Sequence, residues 1–149
     1  MKNLFEPSST TEIKNRIESL RADSERQWGK MNPAQMLAHC SAWMEMAAGL
    51  NSPPRNFVGR IFGKMAMKSV LGEKPIRRNM PSEKSLIMQG ERNFAAERQR
   101  LLDWVGRFST GGPEQCTTHP HCFFGSMSPN EWAILAYKHL DHHLRQFNA

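Results

Sequence analysis

The stretch Ser128-Pro129-Asn130-Glu131-Trp132-Ala133-Ile134-Leu135-Ala136-Tyr137-Lys138-His139-Leu140-Asp141-His142-His143-Leu144-Arg145-Gln146-Phe147 decides the fold. Ser128 and Glu131 stand at capping-box spacing, with proline at the first helical position between them. Trp132, Leu135, Ala136 and His139 then share one face of a helix. The pattern predicts a helix from Pro129 to about Phe147. His139 and His143, four residues apart, put their rings on one face, one turn from each other. Two imidazoles so placed can bind one metal ion, as the paired histidines of zinc protease helices do.

Working outward, Asn32-Pro33 is an equally clear start: a capping side chain, then proline at the first position. A helix from Pro33 to about Gly49 carries an apolar stripe of Met36, Cys40, Trp43, Met44 and Ala47, with His39 on the same side. The polar run Ser8 to Thr11 offers N-caps for a first helix from about Thr11 to Ala22, continuing at most toward Trp28. Phe57, Val58, Ile61, Phe62 and Met65 suggest a shorter helix flanked by a basic ridge of Arg60, Lys64 and Lys68. Gly72 to Pro81 reads as irregular, and Leu86 to Met88 as a short extended piece or the start of the next helix. A further long helix is predicted from about Glu91 to Phe108, burying Phe94, Leu101, Leu102, Val105 and Phe108. A loop from Gly111 to Ser126 closes the series. Four long helical segments with little strand signal predict an all-α bundle, and bundles build ligand sites from inward side chains of facing helices.

The chain has 149 residues, enough for one core, and it is expected to form a single domain over residues 1–149. No apolar run approaches the roughly 20 residues of a membrane span, and the N-terminus lacks a signal-like apolar stretch. Three cysteines, an odd number, argue against a disulfide framework. A cytoplasmic location is expected. The net charge is +6, and residues 55–78 alone carry that excess, with seven basic residues against Glu73. This segment could bind nucleic acid, an acidic membrane surface or an anionic substrate, but an ordinary solvated helix face is the better reading. It has no recognised nucleic-acid motif. Neither nucleic acid nor membrane is therefore expected as a partner, while a homodimer through exposed helix faces is left open.

If the Pro33 and Pro129 helices pack together, His39, His139 and His143 can meet inside the bundle. Neutral imidazole suits zinc, nickel, copper or iron, and three such ligands leave positions open for water or substrate. Trp43 and Trp132 would wall the pocket. Gln146, three residues beyond His143, could hydrogen-bond near it. His142 lies about 100° around the helix from His143 and suits the surface or a supporting role. The plainer alternative is that His39 is a satisfied core histidine and the helical pair a coincidence among six histidines. Position speaks against coincidence, because three histidines on core stripes are hard to bury without a shared partner.

Cys116-Thr117-Thr118-His119-Pro120-His121-Cys122 could be read as a small zinc knot, but its ligands are crowded and lack the usual spacing. A surface loop with incidental ligands, or a loop that folds His119 or His121 over the bundle mouth, remain as alternatives. Cys40 and the methionines Met31, Met36, Met44, Met46, Met65 and Met67 read as core filling. Glu45 falls on a different face from His39, so no inward carboxylate is assigned as general base.

Three motifs carry a family likeness: residues 28–39, from Trp28-Gly29-Lys30-Met31-Asn32-Pro33 to His39; Phe123-Phe124-Gly125 followed by Ser128 to Trp132; and Lys138 to Phe147. In these the chain resembles a branch of the DinB/YfiT-like superfamily of bacterial four-helix bundles, from about Thr11 to Phe147. The resemblance implies a DinB-like bundle with an extra short helix and long loops. It also implies a divalent metal (nickel, zinc or iron) held by His39, His139 and His143. The characterised relatives it implies are transferases and isomerases that use low-molecular-weight thiols. The expectation is a metal-dependent enzyme acting on a small-molecule substrate; the other reading is a non-enzymatic binding module for an anionic ligand or protein partner.

Overall fold

The computed structural model describes residues 1–80 and 83–149, and these contain five α-helices and no strand. They are α1 (Pro7–Ser19), α2 (Pro33–Ala47), α3 (Phe57–Val70), α4 (Phe94–Gly111) and α5 (Pro129–Arg145). Short 3₁₀ turns occupy Lys84–Leu86 and Gly112–Gln115. The all-α expectation holds.

Helix α2 packs against α4 and α5, and α1 packs against the same two, so the four close a ring with α1 and α2 on one diagonal. The sequence of α2 explains its central place. Thirteen of its fifteen residues are buried, and a helix apolar around nearly its whole circumference must sit inside. Asn32 caps it with both halves of a capping box: its side chain accepts from Gln35 N at 2.9 Å, and Gln35 Oε1 accepts from Asn32 N. Ser128 and Glu131 make the same exchange at the head of α5. Leu37, Met44, Leu101, Trp132 and Leu140 fill the space between these helices. Each such side chain contributes about 1.5–3 kcal/mol by leaving water.

Three boundaries differ from the sequence expectation. Helix α1 starts at Pro7 and ends at Ser19, not Thr11 to Ala22. Proline takes the first helical position, and the Ser/Thr run lies inside the helix with its hydroxyls bonded backward, Ser9 to Glu6 and Thr10 to Leu4 O. Leu20 is already extended, which stops the helix before Ala22. Helix α4 begins at Phe94, where Asn93 caps Ala96 N, and runs three residues past Phe108 to Gly111; Gly112 ends it in the left-handed region at φ +62°. Residues Lys84–Leu86 form a 3₁₀ turn, neither strand nor the head of α4. Of the irregular stretch from Gly72, Pro81 lies outside the described residues.

Helix α3 stands outside the ring and rests on the turn 121–125, which a bridge between His121 and Gly125 closes. Its inner face is glycine: a Cβ on Gly59 or Gly63 would run into the Phe123 carbonyl oxygen. The close approach fixes the rotation of α3 and turns Phe57, Val58, Ile61, Phe62 and Met65 away from the protein. Met65, expected in the core, is 68% exposed. Met36, Met44 and Met46 are core residues, and Met31 and Met67 are packed against the core.

No described helix is long and apolar enough to cross a membrane.

Candidate metal centre

Because α2 and α5 are neighbours in the ring, His39 on one faces His139 and His143 on the other. The rings of His139 and His143 are 4.5 Å apart, as one helical turn dictates. That of His39 lies 5.1 Å from His139 and 4.6 Å from His143. One ligand atom from each of the three can be chosen so that all lie within 4.8 Å of one another. Among the described residues, no other group of three or more His, Cys, Asp or Glu side chains meets that condition.

Hydrogen bonds decide which nitrogens face the shared space. His39 Nδ1 is 2.7 Å from the Leu86 carbonyl, which can only accept, so Nδ1 carries the proton and Nε2 keeps its lone pair. His143 Nδ1 is 2.7 Å from Gln146 Oε1, with the same consequence. The helix spacing alone could not supply the Leu86 acceptor; the 3₁₀ turn packed on α2 brings it there. His139 Nε2 stands 3.2 Å from His39 Nε2, while its buried Nδ1 has no partner. Tetrahedral metal–nitrogen bonds near 2.0–2.1 Å place two ligand nitrogens about 3.3 Å apart. The His39–His139 pair already has that separation, and the donor set therefore fits a divalent ion.

Burial pushes all three imidazoles below their ordinary range, and each one's neighbours push further in the same direction. The Leu86 carbonyl and the Gln146 amide partly offset this at His39 and His143. The rings are therefore neutral at pH 7, the state that can donate a lone pair. His39 and His143 are almost fully covered, whereas His139 is half-buried.

Around the histidines the aromatic walls are in place. Trp43 stacks on His139 at 4.8 Å, and Trp132 lies 5.8 Å from Trp43. His142 is half-buried, edge-on to His143 and to Trp28, with Arg78 lying 4.1 Å over the Trp28 ring. Its ring touches His143 but does not enter the cluster of ligand nitrogens. Gln146 is buried and is held from behind by the turn at Gly29, where φ is +85° and a Cβ would come within 2.7 Å of the amide nitrogen. Only glycine suits that position, for both reasons.

The Cys116–Cys122 segment gathers no metal-ligand group. His119 is exposed and Cys116 half-buried. His121 folds inward and packs on Trp132 at 5.4 Å. Its Nδ1 accepts from the backbone N–H groups of Phe123 and Phe124, so Nε2 carries the proton. Burial holds its pKa down to about 4. Glu45 pairs with Arg100 at 2.6 Å, away from the centre, and Cys40 is fully buried beside Met36. Sequence reasoning missed the Leu86 carbonyl and Gly29. The first is a backbone group with no side-chain signal; the second is a glycine just before the Asn32 cap.

A helical bundle with three convergent imidazoles in its interior, two of them almost fully covered, defines the chain as a candidate metal-binding bundle. Over residues 4–149 it belongs to the family described as protein of unknown function (DUF1569). No curated protein and no solved structure matches it.

Proposed function

We propose that the chain is a metal-dependent enzyme of the DinB-like superfamily, with His39, His139 and His143 as ligands of one nickel, zinc or iron ion. The observation that carries this reading is the pair of oriented tautomers: Leu86 and Gln146 each fix a proton on Nδ1, so that Nε2 lone pairs converge. In the metal-free chain His139 Nε2, 3.2 Å from His39 Nε2, is the one ring nitrogen placed to donate to such a lone pair, and a cation bound by all three rings would replace that contact. A bound ion would supply Lewis acidity, lowering the pKa of a thiol or water or polarising a substrate oxygen or sulfur. The protein's own part is to orient the rings, to keep them neutral, and to shield one side with Trp43 and Trp132. A reaction class follows: transfer of a low-molecular-weight thiol to a small electrophile, or hydrolysis of one.

Protein purified without a polyhistidine tag is expected to carry about one divalent ion per chain by elemental analysis. His139→Ala and His143→Ala are expected to lose it while keeping their helical circular dichroism. Metal-free wild type that takes up no zinc, nickel or iron overturns the proposal. Gln146→Ala leaves the three ligands in place but frees the His143 ring, and it should weaken metal binding about 10–100-fold. Competition with a chromophoric chelator measures this; an unchanged affinity would remove Gln146 from the site.

A second reading is favoured by one observation. A cavity of about 350 Å³ at the C-terminal end of α5 is lined by Gln27, Trp28, Arg78, Arg145, Asn148 and Ala149. Two arginines around an aromatic platform suit an anionic ligand. If no metal binds, a non-enzymatic module for such a ligand becomes the better account, and calorimetry with small carboxylates and phosphates is its test.

A further inference from the structure

The outward face of α3 has no counterpart in the rest of the bundle. Phe57, Val58, Ile61, Phe62 and Met65 are between 50% and 75% exposed. At 100° per residue they cover an arc of about 140°. Arg60 and Lys64 line one flank of that arc and Lys68 follows at its C-terminal end, each exposed and none paired with an acid among the described residues. The inner face cannot exchange places with the outer one, since Gly59 and Gly63 lie against the Phe123 carbonyl with no room for a side chain. The exposure is thus built into the register of the helix.

A contiguous exposed apolar strip marks a binding surface, and the chemistry of its flank selects the partner. A second copy of this chain would bring two basic ridges together, in a segment with seven basic residues and one acid. An anionic lipid surface meets both requirements at once. Aromatic and aliphatic side chains enter the boundary between headgroups and acyl chains, while lysine and arginine stems reach back to the phosphates. Each basic residue near such a surface strengthens binding about fivefold. A helix of 14 residues is about 21 Å long, which suits lying in the interface rather than crossing it.

We propose that α3 docks the protein on an anionic membrane surface, with the Phe57–Met65 strip inserted and Arg60, Lys64 and Lys68 on lipid phosphates. The sequence expectation of no membrane partner treated this ridge as an ordinary solvated face; the orientation of the apolar residues changes that. The docking is independent of the metal centre.

The test is flotation of the full chain with vesicles of equal parts phosphatidylglycerol and phosphatidylcholine, against phosphatidylcholine alone. Binding is expected only with the anionic vesicles, and high salt should weaken it. Lys64→Ala should weaken it about fivefold. The double substitution Ile61→Asp with Phe62→Asp, at exposed positions that leave folding intact by circular dichroism, should weaken it at least tenfold. Equal binding to both vesicle types, or none, overturns the proposal. So does binding that Lys64→Ala reduces but the double substitution leaves unchanged, which would mean charge attraction alone. A solution dimer dissolved by the double substitution also overturns it, and assigns the strip to a second copy.

Discussion

Adding zinc or nickel to the metal-free chain, at a hundredfold excess over Kd, is expected to raise its melting temperature by about 5–10 °C. An ion that binds only the folded state stabilises it by about 2.7 kcal/mol at that excess. Each kcal/mol moves the midpoint of a chain this size by about 2–4 °C. Little rearrangement should oppose the gain, because two rings are already turned by Leu86 and Gln146 and the His39 and His139 nitrogens already stand 3.2 Å apart. His143→Ala should abolish the shift. His119→Ala, in an exposed loop away from the centre, should keep it and so separates the centre from adventitious surface histidines. A thermal shift of equal size in wild type and His143→Ala would refute the assignment.

The second large effect is acid sensitivity of the metal-free protein. His39, His121, His139 and His143 are all held below the ordinary imidazole value by burial. In the unfolded chain the same groups protonate near pH 6.5. Below that pH the unfolded state binds more protons than the folded one, so the contribution of these histidines is level above about pH 7 and stability falls as the solution is acidified. Each histidine steepens the fall by up to about 1.4 kcal/mol per pH unit until its folded pKa is reached. For His121, held at about 4, the loss reaches about 3 kcal/mol by pH 4. Urea midpoints measured from pH 8 downward in chelator should show this decline. His121→Asn keeps an acceptor for the Phe123 and Phe124 N–H groups and should flatten part of the slope. A midpoint that holds steady or rises on acidification through pH 6 would contradict the burial of these rings.

The legible parts of the fold were those written in side chains close in sequence. The Ser128–Glu131 and Asn32–Gln35 boxes announce α5 and α2 because both partners of each box lie within one turn. The four-residue spacing of His139 and His143 fixes their shared face by helix geometry alone, and the apolar stripe around His39 turns it inward. The start of α1 was misread because serines and threonines cap helices or lie within them, and only Leu4 and Glu6 decide which. The orientation of α3 was not legible at all. An amphipathic pattern gives two faces but not which one is inward, and here a distant backbone turn at Phe123 selects the glycine face. The Leu86 acceptor was hidden for a related reason: its partner lies 47 residues earlier in the chain.

That Leu86 bond has an outcome for engineering. The connection between α3 and α4 supplies the atom that sets the ring of His39. New termini made by circular permutation near Gly90 would free that strap at one end and let the imidazole swivel. Joining the present ends and opening the chain instead at Gly112, where α4 gives way to the next turn, would leave the strap fastened on both sides.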